Sequence, residues 1–218
     1  TTYFNGNKID AFWTAGAGYG FCFALDVTGK LYSWGYNGYG VLGHGNTTNL
    51  SVPTEITGVT FDNSASGAGK IKKLLVDSQQ SYQRVAILTE KGKIYWCGRN
   101  EYGWAMMGNT SDVNTFTQMG NGPGSGTHSH ATNMWFTGNG RYASFWTKDS
   151  TGAIKCCGYN GSYELGIGNN NNQSSAVSPK WQINGTTTAD LENIKDIGCN
   201  SEYGNQWMCN VWVLTYDG

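Results

Sequence analysis

The sequence predicts an all-β fold assembled from repeated four-stranded units, and three observations carry that prediction. A three-part pattern recurs in register along the 218 residues. The apolar segments inside it are short, rich in Leu/Ile, Val, Tyr and Trp, and bounded by glycine, which is the signature of strands. No segment sustains the 3.6-residue period of a helix.

The last part of the pattern is the easiest to see. It reads GKLYSWGYNGYGVLGHG at 29–45, GKIYWCGRNEYGWAMMG at 92–108 and GAIKCCGYNGSYELGIG at 152–168. The leading glycines are Gly29, Gly92 and Gly152, so the spacings are 92 − 29 = 63 and 152 − 92 = 60. Upstream lie FALDVTG, VAILTEKG and SFWTKDSTG, with a fourth copy, VWVLTYDG, ending at Gly218 and giving 218 − 152 = 66. Before these come KIDAFWTAG (8–16), KIKKLLVDS (70–78), THSHATNMWFTG (127–138) and NIKDIGCNS (193–201). Ordered recurrence of three segments marks a repeat architecture. The repeats run approximately over 8–69, 70–126, 127–192 and 193–218, within one partial β-propeller spanning 1–218.

Each element follows from its residues. KLYSW and KIYWC are strands, as are FALDV and VAILT, and VTGK and TEKGK supply a glycine turn between them, so each pair reads as a β-hairpin. The stretch GYNGYGVLGHG is too glycine-rich for a helix. About four short strands per period point to propeller blades and not to helical solenoid units. A phosphate-binding loop needs Gly-x4-Gly-Lys-Ser/Thr ahead of a helix, and neither the lysine nor the helix is there. Gly35, Gly98 and Gly158 end the third strand in each copy and are expected to sit where backbone approaches closely or φ is positive. The fourth repeat stops in mid-hairpin, so about three and a half blades are expected. An open ring would leave strand edges unpaired. The chain is therefore read as part of a longer polypeptide, or as half of an assembly that completes the ring.

These motifs resemble the regulator-of-chromosome-condensation repeat family. Gly35 to Gly45 is similar to that family's GxNxxGQLGxG, ALDVTGKLYSWG (24–35) to its ALTxDGxVYxWG, and Leu50 to Ile56 to its trailing proline segment. The resemblance covers residues 8–218 and implies a propeller of the seven-bladed type. The second copy departs from the pattern at Trp104-Ala105-Met106-Met107, and the third places Ser162-Tyr163 where the first has Tyr39-Gly40. The histidine that often precedes the family's ALT strand is missing from every copy. That absence and the low net charge set the chain apart from the family's chromatin and exchange-factor roles.

Composition narrows the function. A net charge of −1 gives no electrostatic footprint for nucleic acid, and no run of apolar residues is long enough to insert in a membrane. His128 and His130 stand together in a glycine-rich loop and His44 stands alone. A metal site needs three or four convergent ligands, so no metal or cofactor is expected. Asp26, Glu90, Asp149 and Asp217 sit at hairpin turns, where aspartate caps its own backbone. No nucleophile–base pair or carboxylate pair can be read from order or spacing, and the chain reads as a non-enzyme. Of the six cysteines, Cys97 and Cys157 fill the slot of Trp34 and read as buried strand residues, while the adjacent Cys156 and Cys157 point to opposite faces. Six Asn-x-Ser/Thr sequons, at Asn46, Asn49, Asn109, Asn160, Asn172 and Asn184, read as by-products of an Asn-rich chain.

A binding role remains. The neutral Asn/Gly/Ser/Thr loops, such as GNNNNQSSAVS (168–178) and INGTTTADLEN (183–193), resemble those of phage tail and virion proteins. The leading reading is a virion or extracellular structural or host-attachment propeller. Its partners would be proteins, surface glycan, the remainder of the propeller or neighbouring subunits. The alternative is a cellular, cytoplasmic regulatory or scaffold propeller that binds a protein partner, and a carbohydrate-active enzyme ranks third. Candidate contact residues are Tyr36, Asn37, Tyr39, Arg99, Asn100, Tyr102, Trp104, Tyr159 and Asn160, with the competing possibility that they pack blade to blade. Recognition is also expected from the loops 120–131 and 169–175.

Overall fold

The computed structural model describes residues 3–16, 19–78, 82–120, 130–138, 140–183, 187–191, 193–201 and 209–216. These fall into two compact units, residues 1–100 with 111–118, and residues 101–110 with 119–218.

The first unit contains two four-stranded antiparallel blades. Strands β1 (Ile9–Ala15), β2 (Phe21–Asp26), β3 (Leu31–Gly35) and β4 (Leu50–Glu55) follow one another in space as in sequence. Strands β5 (Ile71–Asp77), β6 (Arg84–Thr89), β7 (Ile94–Gly98) and β8 (Val113–Gln118) do the same. The second unit repeats the order with β9 (Ala131–Thr137), β10 (Ser144–Asp149), β11 (Ile154–Gly158) and β12 (Gln173–Val177). It then adds a hairpin, β13 (Lys180–Ile183) with β14 (Thr187–Asp190), and a two-stranded sheet, β15 (Ile194–Ser201) with β16 (Cys209–Thr215). The segments at 31–34, 94–97 and 154–157 are thus third strands of three separate sheets, and no α-helix occurs among the described residues. Part of the stretch read as a polar loop from 183 is instead β14, where Thr187 and Thr188 are β-branched and pair with Ile183 and Gln182.

The blades share irregularities as well as order. Pairing of the third with the fourth strand slips between Ser33 and Gly35, between Trp96 and Gly98, and between Cys156 and Gly158. At each of these places the third strand advances two residues and the fourth advances four, so the outer strand carries two extra residues and bends at the same point in each copy.

Each core forms from the inward faces of the middle strands. In the first unit Phe21, Phe23, Leu31, Val85, Ile87 and Cys97 pack with Val41 and Leu42 of the loop after β3, and with Phe61 and Phe116. In the second, Trp135, Trp146, Ile154, Cys156 and Leu165 pack with Leu191, Ile194 and Ile197. Cys97, Cys156 and Cys157 are buried free thiols, as the Trp34 slot predicts for Cys97 and Cys157. Burial pushes the Cys97 and Cys156 thiols far above the ordinary thiol range.

Candidate functional site

The loops after β3, β7 and β11 are shaped by one asparagine each. The amide oxygen of Asn37 accepts from Leu42 N at 2.9 Å, and its Nδ2 donates to the carbonyls of Asn46 and Thr48, both at 3.0 Å. Asn160 repeats this on Leu165 N, Asn169 O and Asn171 O at 2.8, 2.7 and 3.1 Å. Asn100 donates to Ser111 O at 3.1 Å. The three backbone N–H groups donate in turn to Asn49, Asp112 and Asn172 side chains, each at 2.8 Å. All three asparagines have no exposed surface. Their polar capacity satisfies backbone that a glycine-rich loop cannot satisfy by itself. They hold the loop and present nothing to a partner.

The glycine at the root of each loop is forced by geometry. Gly35, Gly98 and Gly158 have φ of 111°, 104° and 106°. A Cβ on Gly98 would fall 2.5 Å from Gln83 O and 2.8 Å from Arg84 Cα, both backbone atoms.

The loops after β3 and β7 then reach the next blade. In the first unit Gly45 N donates to Asn114 O at 2.8 Å, and the Cys97 thiol donates to Gly40 O at 3.1 Å. In the second, Gly108 N donates to Ser174 O at 2.9 Å and the Cys157 thiol to Trp104 O at 3.2 Å. Trp104 is fully buried, its indole N–H donating to Ala143 O at 2.7 Å while its ring lies over Gly158. It is therefore a packing residue.

In each unit the remaining candidates form a partly exposed aromatic ladder at the blade end where the second strand begins and the third strand stops. Tyr36 stacks on Tyr19 at 4.6 Å between ring centres. The Arg99 guanidinium lies between the Tyr39 and Tyr82 rings, 4.5 and 4.4 Å from their centres. In the second unit Tyr159 meets Tyr142 at 4.8 Å and Tyr102 at 5.3 Å. Arg141 donates to the Tyr102 hydroxyl at 2.7 Å and pairs with Glu101 at 3.3 Å. Burial and the nearby Glu164 carboxylate raise the Tyr159 phenol above its ordinary value, so it stays neutral and able to donate.

Tyr19, Tyr82, Tyr142 and Arg141 are absent from the candidates drawn from sequence. The signal was present: each tyrosine stands two residues before its blade's second strand, at Phe21, Arg84 and Ser144. Three copies thus carry a tyrosine just ahead of the second strand.

The other polar groups are accounted for by structure. Ser33 Oγ donates to Leu42 O at 2.7 Å and accepts from His44 Nε2 at 2.9 Å, while burial lowers the His44 pKa. Ser33 itself is buried. Asp26 accepts from Thr28 N, Thr28 Oγ1 and Lys30 N at 2.8, 2.6 and 3.0 Å, and Asp149 accepts from Thr151 N, Thr151 Oγ1 and Ala153 N at 2.8, 2.7 and 3.0 Å. These are the turn caps expected of aspartate. Among the described residues no three His, Cys, Asp or Glu side chains are placed to share a metal ion, and no helix is long and apolar enough to cross a membrane. His128, Asn184, Asp217 and most of the loop 120–131 lie outside the described residues.

Residues 28–68 match the regulator of chromosome condensation (RCC1) repeat. Protein RCC2 homolog of Danio rerio is 34% identical over 89 residues, which are 41% of this chain and 16% of that protein. Among solved structures, human WBSCR16 superposes with a TM-score of 0.59 at 15% identity, covering 91% of this chain and 43% of the other. Prp20p of Saccharomyces cerevisiae, characterised for its binding to Gsp1p and histones, gives 0.57 at 18% identity over 85% of this chain and 41% of its own. The chain thus spans under a fifth of that curated relative and under half of each solved neighbour. The repeat register, the four-stranded blades and these matches agree: residues 28–68 carry an RCC1 repeat, and the blades share the fold of RCC1-type β-propellers.

Proposed function

We propose that this chain is a non-enzymatic protein-interaction segment of an RCC1-type propeller, acting in a cell. The observation that carries the reading is the ladder of tyrosines and arginines that each unit carries at the ends of its blades. Tyr and Arg are the side chains over-represented where proteins bind one another, since they offer area, hydrogen bonds and cation–π contact with few rotors to freeze. The asparagine-pinned loops beneath hold them in place before a partner arrives, which lowers the ordering cost of association. The virion reading rested on neutral loops alone. Relatives and fold neighbours from zebrafish, human and yeast favour the cellular alternative. A protein partner is also in keeping with Prp20p, which binds proteins.

The test is site-specific photo-crosslinking. A benzophenone amino acid replaces Tyr82 or Tyr142 in the ladder, or Val27 at the opposite end of the first blade. A partner protein captured from positions 82 and 142, whose affinity for the chain falls about tenfold or more in Tyr82→Ala/Arg99→Ala, is expected. Capture from position 27 alone, or unchanged affinity in the double variant, would refute the assignment of this face.

A further inference from the structure

The two units carry the same inter-strand cavity with opposite charge. In the first, a cavity of about 240 Å³ opens at the β2–β3 turn and is lined by Asp10, Asp26, Asp62 and Glu90 against a single Lys70. In the second, a cavity of about 230 Å³ opens at the matching β10–β11 turn, lined by Lys148, Lys155, Thr151, Ser178, Asn193 and Tyr216. Among the described residues no carboxylate lines it.

The two cavities also differ in how they are covered. At Gly29 the linker leaving the first blade presses close, and a Cβ there would lie 2.8 Å from Phe61 O. At Gly152, the equivalent residue, nothing among the described residues stands within 4 Å of that position. The chain leaving the third blade runs into the β13–β14 hairpin instead, and Leu191, Asn193 and Tyr216 wall the cavity beside the Gly152 turn.

The donors in the second cavity are organised for an anion. Lys148 Nζ is held by Ile194 O at 2.6 Å beside the Tyr216 ring, and Lys155 Nζ by Ser178 Oγ at 2.7 Å. An ammonium has three N–H bonds, so each keeps two to give. Ser178 accepts from Lys155 and so turns its own hydroxyl proton outward, and the Asn193 amide and Tyr216 hydroxyl add neutral donors. The nearest carboxylate in sequence, Asp149, is turned into the hairpin by its three hydrogen bonds. Neither lysine has a carboxylate within ion-pair distance among the described residues. We propose that the cavity lined by Lys148, Lys155 and Ser178 binds a phosphate dianion, either free or carried on a phosphorylated side chain. Two ammoniums with hydroxyl and amide donors match a group with three strong acceptor oxygens.

The test is a 15N–1H NMR titration of the 218-residue chain, in separate arms, with inorganic phosphate and with O-phosphoserine. Saturable shifts at Thr151, Gly152, Ala153 and Ser178 are expected, with none at Thr28 and Gly29 in the acidic cavity. Binding should weaken with added salt and strengthen as pH rises through about 6, where the phosphoserine monoanion gives way to the dianion. Lys148→Met/Lys155→Met should weaken it roughly tenfold or more, the loss expected when charged hydrogen bonds are removed. Should that variant not fold, Ser178→Ala is read instead. Tighter binding of either ligand supports the site and identifies the source of the anion. Unsaturable or delocalised shifts in wild type, equal shifts at Thr28 and Gly29, or undiminished affinity in a folded variant would overturn the proposal.

Discussion

Tyr163 and Met106 have φ of 68° and 52° at loop positions where other copies place Gly40, Gly103, Gly43 or Gly166. A side chain in the left-handed region costs about 1–3 kcal/mol, and the surrounding fold must supply it. Tyr163 is mostly exposed, so removing it loses little packing. Tyr163→Gly should stabilise the chain by about 0.5–1 kcal/mol after the entropy of an added glycine, a rise in Tm of about 2–3 °C. The opposite change, Gly98→Val, combines a positive φ with a collision against backbone that cannot move. It should cost about 3 kcal/mol or more, read as a lower denaturation midpoint. At Asn37 the amide both donates and accepts, and a carboxylate can only accept. Asn37→Asp should therefore destabilise by about 2–4 kcal/mol, nearly as much as Asn37→Ala, since both strand the Asn46 and Thr48 carbonyls. Equal melting of Asn37→Asp and wild type would show that the loop does not depend on those bonds.

The hairpin between β2 and β3 is the element whose stability depends on pH. Burial works against the Asp26 charge, but hydrogen bonds from Thr28, Asn7 and Lys30 outweigh it and hold the carboxyl below its ordinary range. The sign follows from the lowered folded-state value. Stabilisation is fully present above the ordinary carboxylate range and fades as pH falls through the folded value. Asp26→Asn keeps an oxygen able to accept from Thr28 and Lys30 but has no proton to gain. The variant should be less stable than wild type near neutrality, and its melting temperature should fall less between pH 5 and pH 2, a range set by the unperturbed carboxylate pKa of about 3.9. Parallel acid limbs for the two proteins would remove Asp26 from this role. Turn and strand assignments here were legible because Asp, Thr and Gly announce a capped turn wherever they occur. The β13–β14 hairpin was not, since Thr-rich polar sequence suits an exposed strand and a loop alike.

For the whole molecule, charge separates the family's possible activities. The chain carries 14 Lys and Arg against 15 Asp and Glu, and the arginines of the ladder are engaged by tyrosine rings and Glu101. Phosphate-backbone binding requires clustered cations that release counterions. Fluorescence anisotropy of a labelled duplex should stay flat with the chain added to about 10 μM at about 50 mM salt, conditions in which non-specific DNA binders associate. A rising, salt-sensitive signal would reopen a direct nucleic-acid role.

The sequence by itself determined the all-β class, the blade repeat, the third strand of each blade and the glycines at the loop roots. Each of these is written in local chemistry: alternation, turn residues and a pattern repeated in register. Which repeated residues are exposed and which are buried was decided only by tertiary structure. Tyr36 and Asn37 are neighbours in one motif, yet the first joins the aromatic ladder while the second is buried with its hydrogen bonds filled. Trp104, a candidate contact residue with blade packing as the alternative, is sealed against Gly158 and Ala143. Tyr82 and Arg99 are far apart in sequence, and their stacking needs β6 and β7 to pair first. Burial and contact depend on the path of distant strands, and no local pattern encodes that path.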